Sequence, residues 1–401
     1  MNFRNQFLIF KQYPELVYLD SASTTQRPHE VLRAVEDYYL KMNANVHRGL
    51  YDLSERATTA YEAVREKAVD FLNAPSTEQI VFTKGTTEAL NMVAQGWGGK
   101  FLKKGDEVVL TLLEHHSNIV PWQIVAEKTG AVIRFVPIKE NGELDYDEME
   151  KLINDRTKIV SVTGLSNTLG TMVDLKRVVA LGHGVGAKVC VDAAQYAAHF
   201  KIDVQDLDVD FLAFSSHKIY GPTGAGVLYA KREILEQMDP WLGGGDMIKT
   251  VTTEGSTWND LPWKFEAGTP NIAQVIGMGA AIDVIQSIGF DWIEQHDHDL
   301  HEYAVKVLEE LPYVTILGPK DSNLQRGAIS FLVKEVHPHD VSAILGSEQV
   351  CVRAGHHCTM PLMKALDVIS TTRVSFGVYN TMDDVDRLVS ALSVVAEKFK
   401  I

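Results

Sequence analysis

Apolar positions follow one rhythm through the first half of this chain and another towards its end. From Gln79 short apolar runs alternate with stretches of helical spacing: Ile80-Val-Phe82, a helix from Thr86, Glu107-Val-Val-Leu-Thr111, a helix from Asn118, then Ala131 to Pro137. A helix from Asp145, the run Lys158 to Thr163, a helix from Leu175 to His183, Lys188-Val-Cys-Val-Asp192 and Asp210 to Phe214 continue the series. Strands that alternate with helices in this way predict a mostly parallel sheet covered on both faces, with ligands bound beyond the carboxyl ends of its strands. Ahead of the series, Leu16-Val-Tyr-Leu19 predicts a short strand and His29 to Met42 a helix. A second helix, Ser54 to Leu72, places Ala57, Tyr61, Val64, Ala68 and Phe71 on one face, with Glu62 and Arg65 pointing away. After Gly226 the chain is irregular and glycine-rich, and a long helical tract then runs from Ile272 to about Glu310. Strands at Thr315 to Leu317, Ala328 to Val333, Cys351 to Arg353 and Arg373 to Phe376, with helices His339 to Leu345 and from Met382, predict a compact α+β unit. The expected division is a large α/β unit over 16–285 and a small C-terminal unit over 286–401 that also takes in residues 1–15.

Composition narrows the function. At 401 residues the chain exceeds the usual domain size of about 100 to 150 residues, which agrees with two units. Hydrophobic residues at 45% and charged residues at 23% are the balance of a soluble enzyme. A formal net charge of -15 argues against nucleic-acid binding, which begins with clustered Lys and Arg. The apolar patch Phe7-Leu-Ile-Phe10 is too short for a signal-peptide core, and no run approaches the roughly 18 apolar residues of a membrane span. The three cysteines, Cys190, Cys351 and Cys358, are sparse and odd in number, so a reducing cytoplasm is expected.

Chemistry gathers where the apolar runs stop. Asp210-Phe-Leu-Ala-Phe ends at Ser215, Ser216, His217 and Lys218, followed by the turn Gly221-Pro-Thr-Gly-Ala-Gly226. A lysine held beside a sheet can lose its proton and act on a carbonyl. Thr83-Lys-Gly-Thr-Thr-Glu88 places a glycine and two hydroxyls at a strand-to-helix turn, where a phosphate monoester can sit. Lys188-Val-Cys-Val-Asp192 ends in a carboxylate able to pair with a protonated ring nitrogen. Glu114-His115-His116-Ser117-Asn118 offers imidazoles to stack on a flat cofactor, to cap a helix or to bind a metal, the last weakest because no Cys/His pair recurs at ligand spacing. Singly, these are also an exposed strand-end lysine, a threonine cap and a salt-bridged carboxylate. Together they suit pyridoxal 5'-phosphate: its aldehyde at Lys218, its ring nitrogen at Asp192, its phosphate at Gly85, Thr86, Thr87, Ser215 and His217, and its ring face on an imidazole. No metal is expected. In Arg353-Ala-Gly-His-His-Cys-Thr-Met-Pro361, Arg353, His356 and His357 surround Cys358 with donors that favour thiolate. Cys190 and Cys351, each between two valines, are expected to pack as small apolar residues.

These stretches, Ser-Ser-His-Lys218, Val-Asp192-Ala-Ala-Gln195, Glu-His115-His-Ser-Asn-Ile-Val-Pro-Trp and Arg-Ala-Gly-His-His-Cys358, resemble the group II, Suf-type cysteine desulfurases, from about Tyr18 to Leu388. The Arg-x-Gly-His-His-Cys loop separates that group from relatives whose cysteine lies on a longer, serine-rich loop. The resemblance implies the aminotransferase-like fold type I architecture, bound pyridoxal phosphate and a homodimer. It also implies release of sulfur from L-cysteine, with L-selenocysteine as a further substrate. Lys218 would then be the Schiff-base lysine and Cα base, and Cys358 the nucleophile that keeps the sulfur as a persulfide. Asp192 would hold the ring nitrogen, Gln195 the ring hydroxyl, and His115 would stack on the ring. Thr86, Thr87, Ser215 and His217 would bind phosphate, with Thr269 reaching in from the partner subunit. Asn167 and Arg373 would receive the substrate carboxylate, with Arg353 close by. L-alanine would leave, and an acceptor protein would take the sulfur towards iron–sulfur cluster assembly. An aminotransferase or kynureninase-like lyase of the same fold would need Lys218 and Asp192 but no accessible cysteine, and a docking platform that kept the fold alone would bind no coloured cofactor.

Overall fold

The computed structural model describes residues 3–401; Met1 and Asn2, expected in the small unit, lie outside the described residues. The strands, in chain order, are β1 (Val17–Tyr18), β2 (Ile80–Thr83), β3 (Glu107–Thr111), β4 (Val132–Val136), β5 (Thr157–Thr163), β6 (Lys188–Asp192), β7 (Phe211–Ser215) and β8 (Gly226–Ala230). They are followed by β9 (Ile248–Val251), β10 (Ser256–Trp258), β11 (Val314–Leu317), β12 (Ala328–Val333), β13 (Val350–Cys351), β14 (Arg353–Gly355) and β15 (Thr371–Ser375).

A seven-stranded sheet has the order β2-β8-β7-β6-β5-β3-β4. Its strands run parallel except β8, which lies antiparallel to both β2 and β7. Every residue of β2, β3, β7 and β8 is buried, as helices on both faces require, and this is why their apolar runs show no alternation. Thr111, Thr163, Asp192 and Ser215 end their strands on one edge of the sheet. The smaller sheet, β11-β12-β15-β14, is antiparallel throughout. Its core includes Ile329, Phe331 and Val374, packed with Val341 and Leu345 of the helix Pro338–Ser347 and Leu388 and Leu392 of the helix Met382–Phe399.

Five local expectations are corrected. The tract from Ile272 is two helices, Ile272–Ile288 and Phe290–Glu309, bent by 77° at Gly289, whose φ of +84° favours glycine. The strand expected at Cys351 to Arg353 is two strands: β13 pairs parallel with β1, and β14 pairs antiparallel with β15. Cys351 is accordingly half-buried rather than packed in the core. The glycine-rich stretch contains the hairpin β9–β10, whose exposed residues carry no apolar pattern to announce it. Arg65 does not point away. It is buried in the helix Asp52–Leu72, donates to Glu62 at 2.8 Å, to Glu266 at 2.6 Å and to the Ile80 carbonyl at 2.8 Å, and lies over the Phe82 ring.

The two sheets are tied together beside the N-terminus. Ser375 N–H donates to Leu19 O at 2.8 Å, Arg4 pairs with Asp384 at 3.0 Å, and Phe7 packs edge-on against Tyr220 and Tyr379. Among the described residues no single helix is long and apolar enough to cross a membrane; the bent pair passes only when its two helices are taken together.

Candidate active site

The carboxyl ends of β5, β6 and β7 and the loops from the smaller sheet enclose a cavity of about 250 Å³. Lys218 follows β7 on a single turn, Ser216–Lys218, that places its side chain on the cavity wall. Burial lowers its pKa to about 8, with the nearby Asp192 carboxylate opposing the fall and Arg373 adding to it. The amine therefore reaches its neutral, nucleophilic form close to physiological pH.

Asp192 closes β6 and is fully buried. Its side chain accepts one hydrogen bond, from Ala194 N–H at 2.9 Å, and burial raises its pKa. A buried carboxyl with so few donors calls for a cationic partner, which a pyridinium N–H supplies. Beside it, Gln195 donates to the Ala22 carbonyl at 2.8 Å, which fixes its amide along the cavity rim. The other end of the cavity is a hydroxyl cradle. Ser215 Oγ accepts from Thr86 N–H and lies 2.8 Å from Thr86 Oγ1, while Thr87 Oγ1 lies 2.7 Å from Ser117 Oγ. Gly85 stands at φ +148°, and a side chain there would come within 3.2 Å of Ser215 Oγ. His217 also lines the cavity, with its Nδ1 3.3 Å from Thr24 Oγ1, and burial followed by Lys218 lowers its pKa to about 4. The donor set, a lone buried carboxyl at one end and four hydroxyls with a helix start at the other, fits a phosphorylated pyridine.

His115 lines the cavity between these ends. Its Nδ1 accepts from Ser117 N–H at 3.1 Å, and burial, reinforced by Lys218, lowers its pKa to about 3. The ring is therefore neutral, with its proton on Nε2. Below it Glu114 accepts from Thr111 and Asn118 at 2.6 Å each, and burial pushes its pKa up to about 8.

The smaller sheet supplies the remaining wall. Arg373, on β15, is buried, donates to Asp20 at 2.9 Å and to the Asn167 carbonyl at 2.8 Å, and leaves its Nε without a partner. Arg353 donates to Ser23 and lies 3.9 Å from Asp20. Asn167 donates to the His357 carbonyl at 2.8 Å. Cys358 completes the wall, and the charges an anion there meets are those of Lys218 and Arg373. The two histidines expected to act as donors towards Cys358 make other bonds. His356 Nδ1 accepts from Cys358 N–H at 3.1 Å, and His357, buried and close to two arginines, has its pKa lowered to about 3.

The cavity thus brings together Thr86, Thr87, His115, Asn167, Asp192, Gln195, Ser215, His217, Lys218, Arg353, Cys358 and Arg373. Thr269 is not among them. It lines a separate cavity with Lys84, Glu88 and Gly268. The sequence reading gave no role to Asp20, Ser23 or Ser117; the run Asp20-Ser-Ala-Ser-Thr-Thr25 after β1, rich in hydroxyls, was the available signal for the first two. Among the described residues no group of three or more His, Cys, Asp or Glu is arranged to hold a metal ion.

The chain matches the family model for class-V aminotransferases over residues 17–388. It is 50% identical over 384 residues to a probable cysteine desulfurase of Halalkalibacterium halodurans, covering 96% of this chain and 94% of the relative. Its backbone superposes on the cysteine desulfurase CsdA of Escherichia coli with a TM-score of 0.92, at 42% identity and 98% coverage of both chains. With the apo cysteine desulfurase of Thermococcus onnurineus the TM-score is 0.94, at 40% identity, covering 98% of this chain and 97% of that one.

Proposed function

From the premise that the chain belongs to the class-V aminotransferase family, we propose that this cavity is the site at which sulfur is removed from L-cysteine and kept on Cys358. The protein is a cysteine desulfurase that uses pyridoxal phosphate, with the aminotransferase-like fold type I architecture. One observation carries the assignment of roles: Lys218, Asp192 and Cys358 face a single cavity from two different sheets.

Asp192 would hold the ring nitrogen, Gln195 the ring hydroxyl, His115 the ring face, and Thr86, Thr87, Ser215 and His217 the phosphate. The bound group supplies a carbonyl carbon for amine exchange and an electron sink for charge at the substrate Cα. Lys218 Nζ takes the Cα proton, a role suited by an amine whose pKa is about 8. Arg373, with its unpartnered Nε, and Asn167 receive the substrate carboxylate, and Arg353 borders the same place. The Cys358 thiolate attacks the substrate sulfur: a sulfur–sulfur bond forms, the substrate Cβ–S bond breaks, and its electron pair passes to the carbon skeleton that takes up protons as L-alanine. Neutral His115 neither repels the incoming ammonium nor competes for the carboxylate.

The half-exposed position of Cys358 supports transfer of the persulfide sulfur to an acceptor protein, with iron–sulfur cluster assembly as its destination. The same groups would act on L-selenocysteine. Thr269, lining a different cavity, supports a homodimer in which it reaches the partner's phosphate. Three unpaired cysteines support work in a reducing cytoplasm. An aminotransferase or kynureninase-like activity has no use for a cysteine on the cavity wall. Measuring alanine and sulfide formed from L-cysteine, with a thiol reductant as sulfur acceptor, tests the reading; equimolar products support it, and transamination without sulfide would refute it.

A further inference from the structure

The loop carrying Cys358 is built against backbone preference. His357 and Cys358 both occupy the left-handed region, at φ +49° and +59°. Side chains rarely adopt that conformation, least of all at consecutive positions, unless the surroundings hold it. Most of the restraint comes from expected places. Asn167 donates to His357 O at 2.8 Å, His357 Nε2 lies 2.8 Å from Thr371 Oγ1, and Thr359 Oγ1 lies 2.9 Å from Thr168 Oγ1. Within the loop Thr359 N–H and Oγ1 both donate to His356 O and Cys358 N–H donates to His356 Nδ1, and two further bonds come from one residue on the turn after β3. His116 N–H donates to Cys358 O at 2.8 Å, and His116 Nε2 accepts from Met360 N–H at 3.0 Å.

We infer that His116 is a positioning residue for the Cys358 nucleophile, clipping the backbone on both sides of Thr359 so that the thiol is held at the cavity. The inference rests on the reading of Cys358 as the sulfur-abstracting group. An imidazole whose Nε2 accepts a hydrogen bond is neutral with its proton on Nδ1, and partial burial beside His356 keeps His116 in that form. His115, the preceding residue, faces the cofactor site. Both histidines stand on a turn fixed from beneath by Glu114 and Asn118, so the ring face and the nucleophile share one reference. A side chain touching neither substrate nor cofactor can therefore set the sulfur-to-sulfur distance, and a misplacement of about 1 Å costs on the order of a hundredfold in rate.

The test compares holoenzyme with His116→Ala and with His116→Gln, whose amide oxygen can accept from Met360 N–H but cannot be protonated at working pH. Two quantities are read: deuterium exchange of the peptide spanning Gly355–Met360, and kcat and KM for L-cysteine. His116→Ala is expected to speed exchange on the order of tenfold and to lower kcat on the order of ten- to a hundredfold. KM should stay within about twofold and the visible band of the cofactor should be unchanged. His116→Gln should recover most of both. Wild-type exchange and kcat in His116→Ala would overturn the inference, as would equal impairment of Ala and Gln or loss of the cofactor band. If the wild type itself formed no alanine, the desulfurase reading would fall, and the exchange comparison alone would decide the clip.

Discussion

A lysine that is to capture an aldehyde near neutral pH has to shed its proton, and burial does this for Lys218. Its pKa is lowered to about 8, so its neutral fraction grows as pH rises through that value and is nearly complete above it. Covalent capture of pyridoxal phosphate by apoprotein should therefore accelerate with pH, reach half its maximum near pH 8 and level off about one unit above it; a rate still climbing towards the ordinary lysine range of about 10.4 would show the amine to be solvated. Borohydride reduction and peptide mapping should place the pyridoxyl group on Lys218, and Lys218→Ala should lose the visible band while its far-ultraviolet dichroism stays native. Recovery of the label on Lys84, Lys231 or Lys249 would defeat the assignment. Lys218 and Asp192 were legible in the sequence because each ends or follows an apolar run at a strand end, and Cys358 because Arg353, His356 and His357 stand around it. Asp20 was not, since its role is set by Arg373 and Arg353, more than three hundred positions later, and no local spacing reports such a pairing. The sequence does not display that burial lowers the His357 pKa to about 3, so that its ring stands neutral beside Thr371.

At the scale of elements, spacing read the central parallel strands correctly because their near-complete burial writes continuous apolar runs. It failed where burial and polarity part company. Arg65 sits on the charged side of an amphipathic pattern, yet it is enclosed by Glu62, Glu266 and Phe82. Glu266 also accepts from Phe82 N–H at 2.7 Å, so one carboxylate ties the loop leading to Thr269 to the strand leading to Gly85. Glu266→Ala leaves the Arg65 charge buried without its main partner, and removal of one member of such a pair costs about 3 to 5 kcal/mol. Urea unfolding of the holoenzyme should show a loss of that order; a change below about 1 kcal/mol would place the pair among solvent-screened surface bridges. The hairpin β9–β10 and the split of β13 from β14 were illegible for the opposite reason, being short and partly exposed, with partners chosen by tertiary pairing.

The whole molecule puts Asp192, Ser215 and Lys218, proposed to hold the cofactor, at the edge of one sheet and Cys358, the proposed nucleophile, on a loop of the other. We propose the division into 16–285 and 286–401 with the N-terminal residues as its working units, and the bend at Gly289 lies just beyond that boundary. The placement of Thr269 outside the cavity leads to a test of assembly. If it serves the partner's site, co-expressing Lys218→Ala with Thr269→Ala produces mixed dimers in which one site carries both lesions and the other carries none. Activity at limiting cofactor should then exceed that of either variant alone; no recovery would place Thr269 in its own subunit's chemistry or outside the site. Where the sulfur goes is measured directly by a single turnover with stoichiometric L-cysteine, followed by alkylation and mass spectrometry. The persulfide should map to Cys358 with one alanine per persulfide, and Cys358→Ala should keep the cofactor band yet form neither product. Wild-type-like alanine formation by Cys358→Ala, or a persulfide on Cys190 or Cys351, would contradict the account.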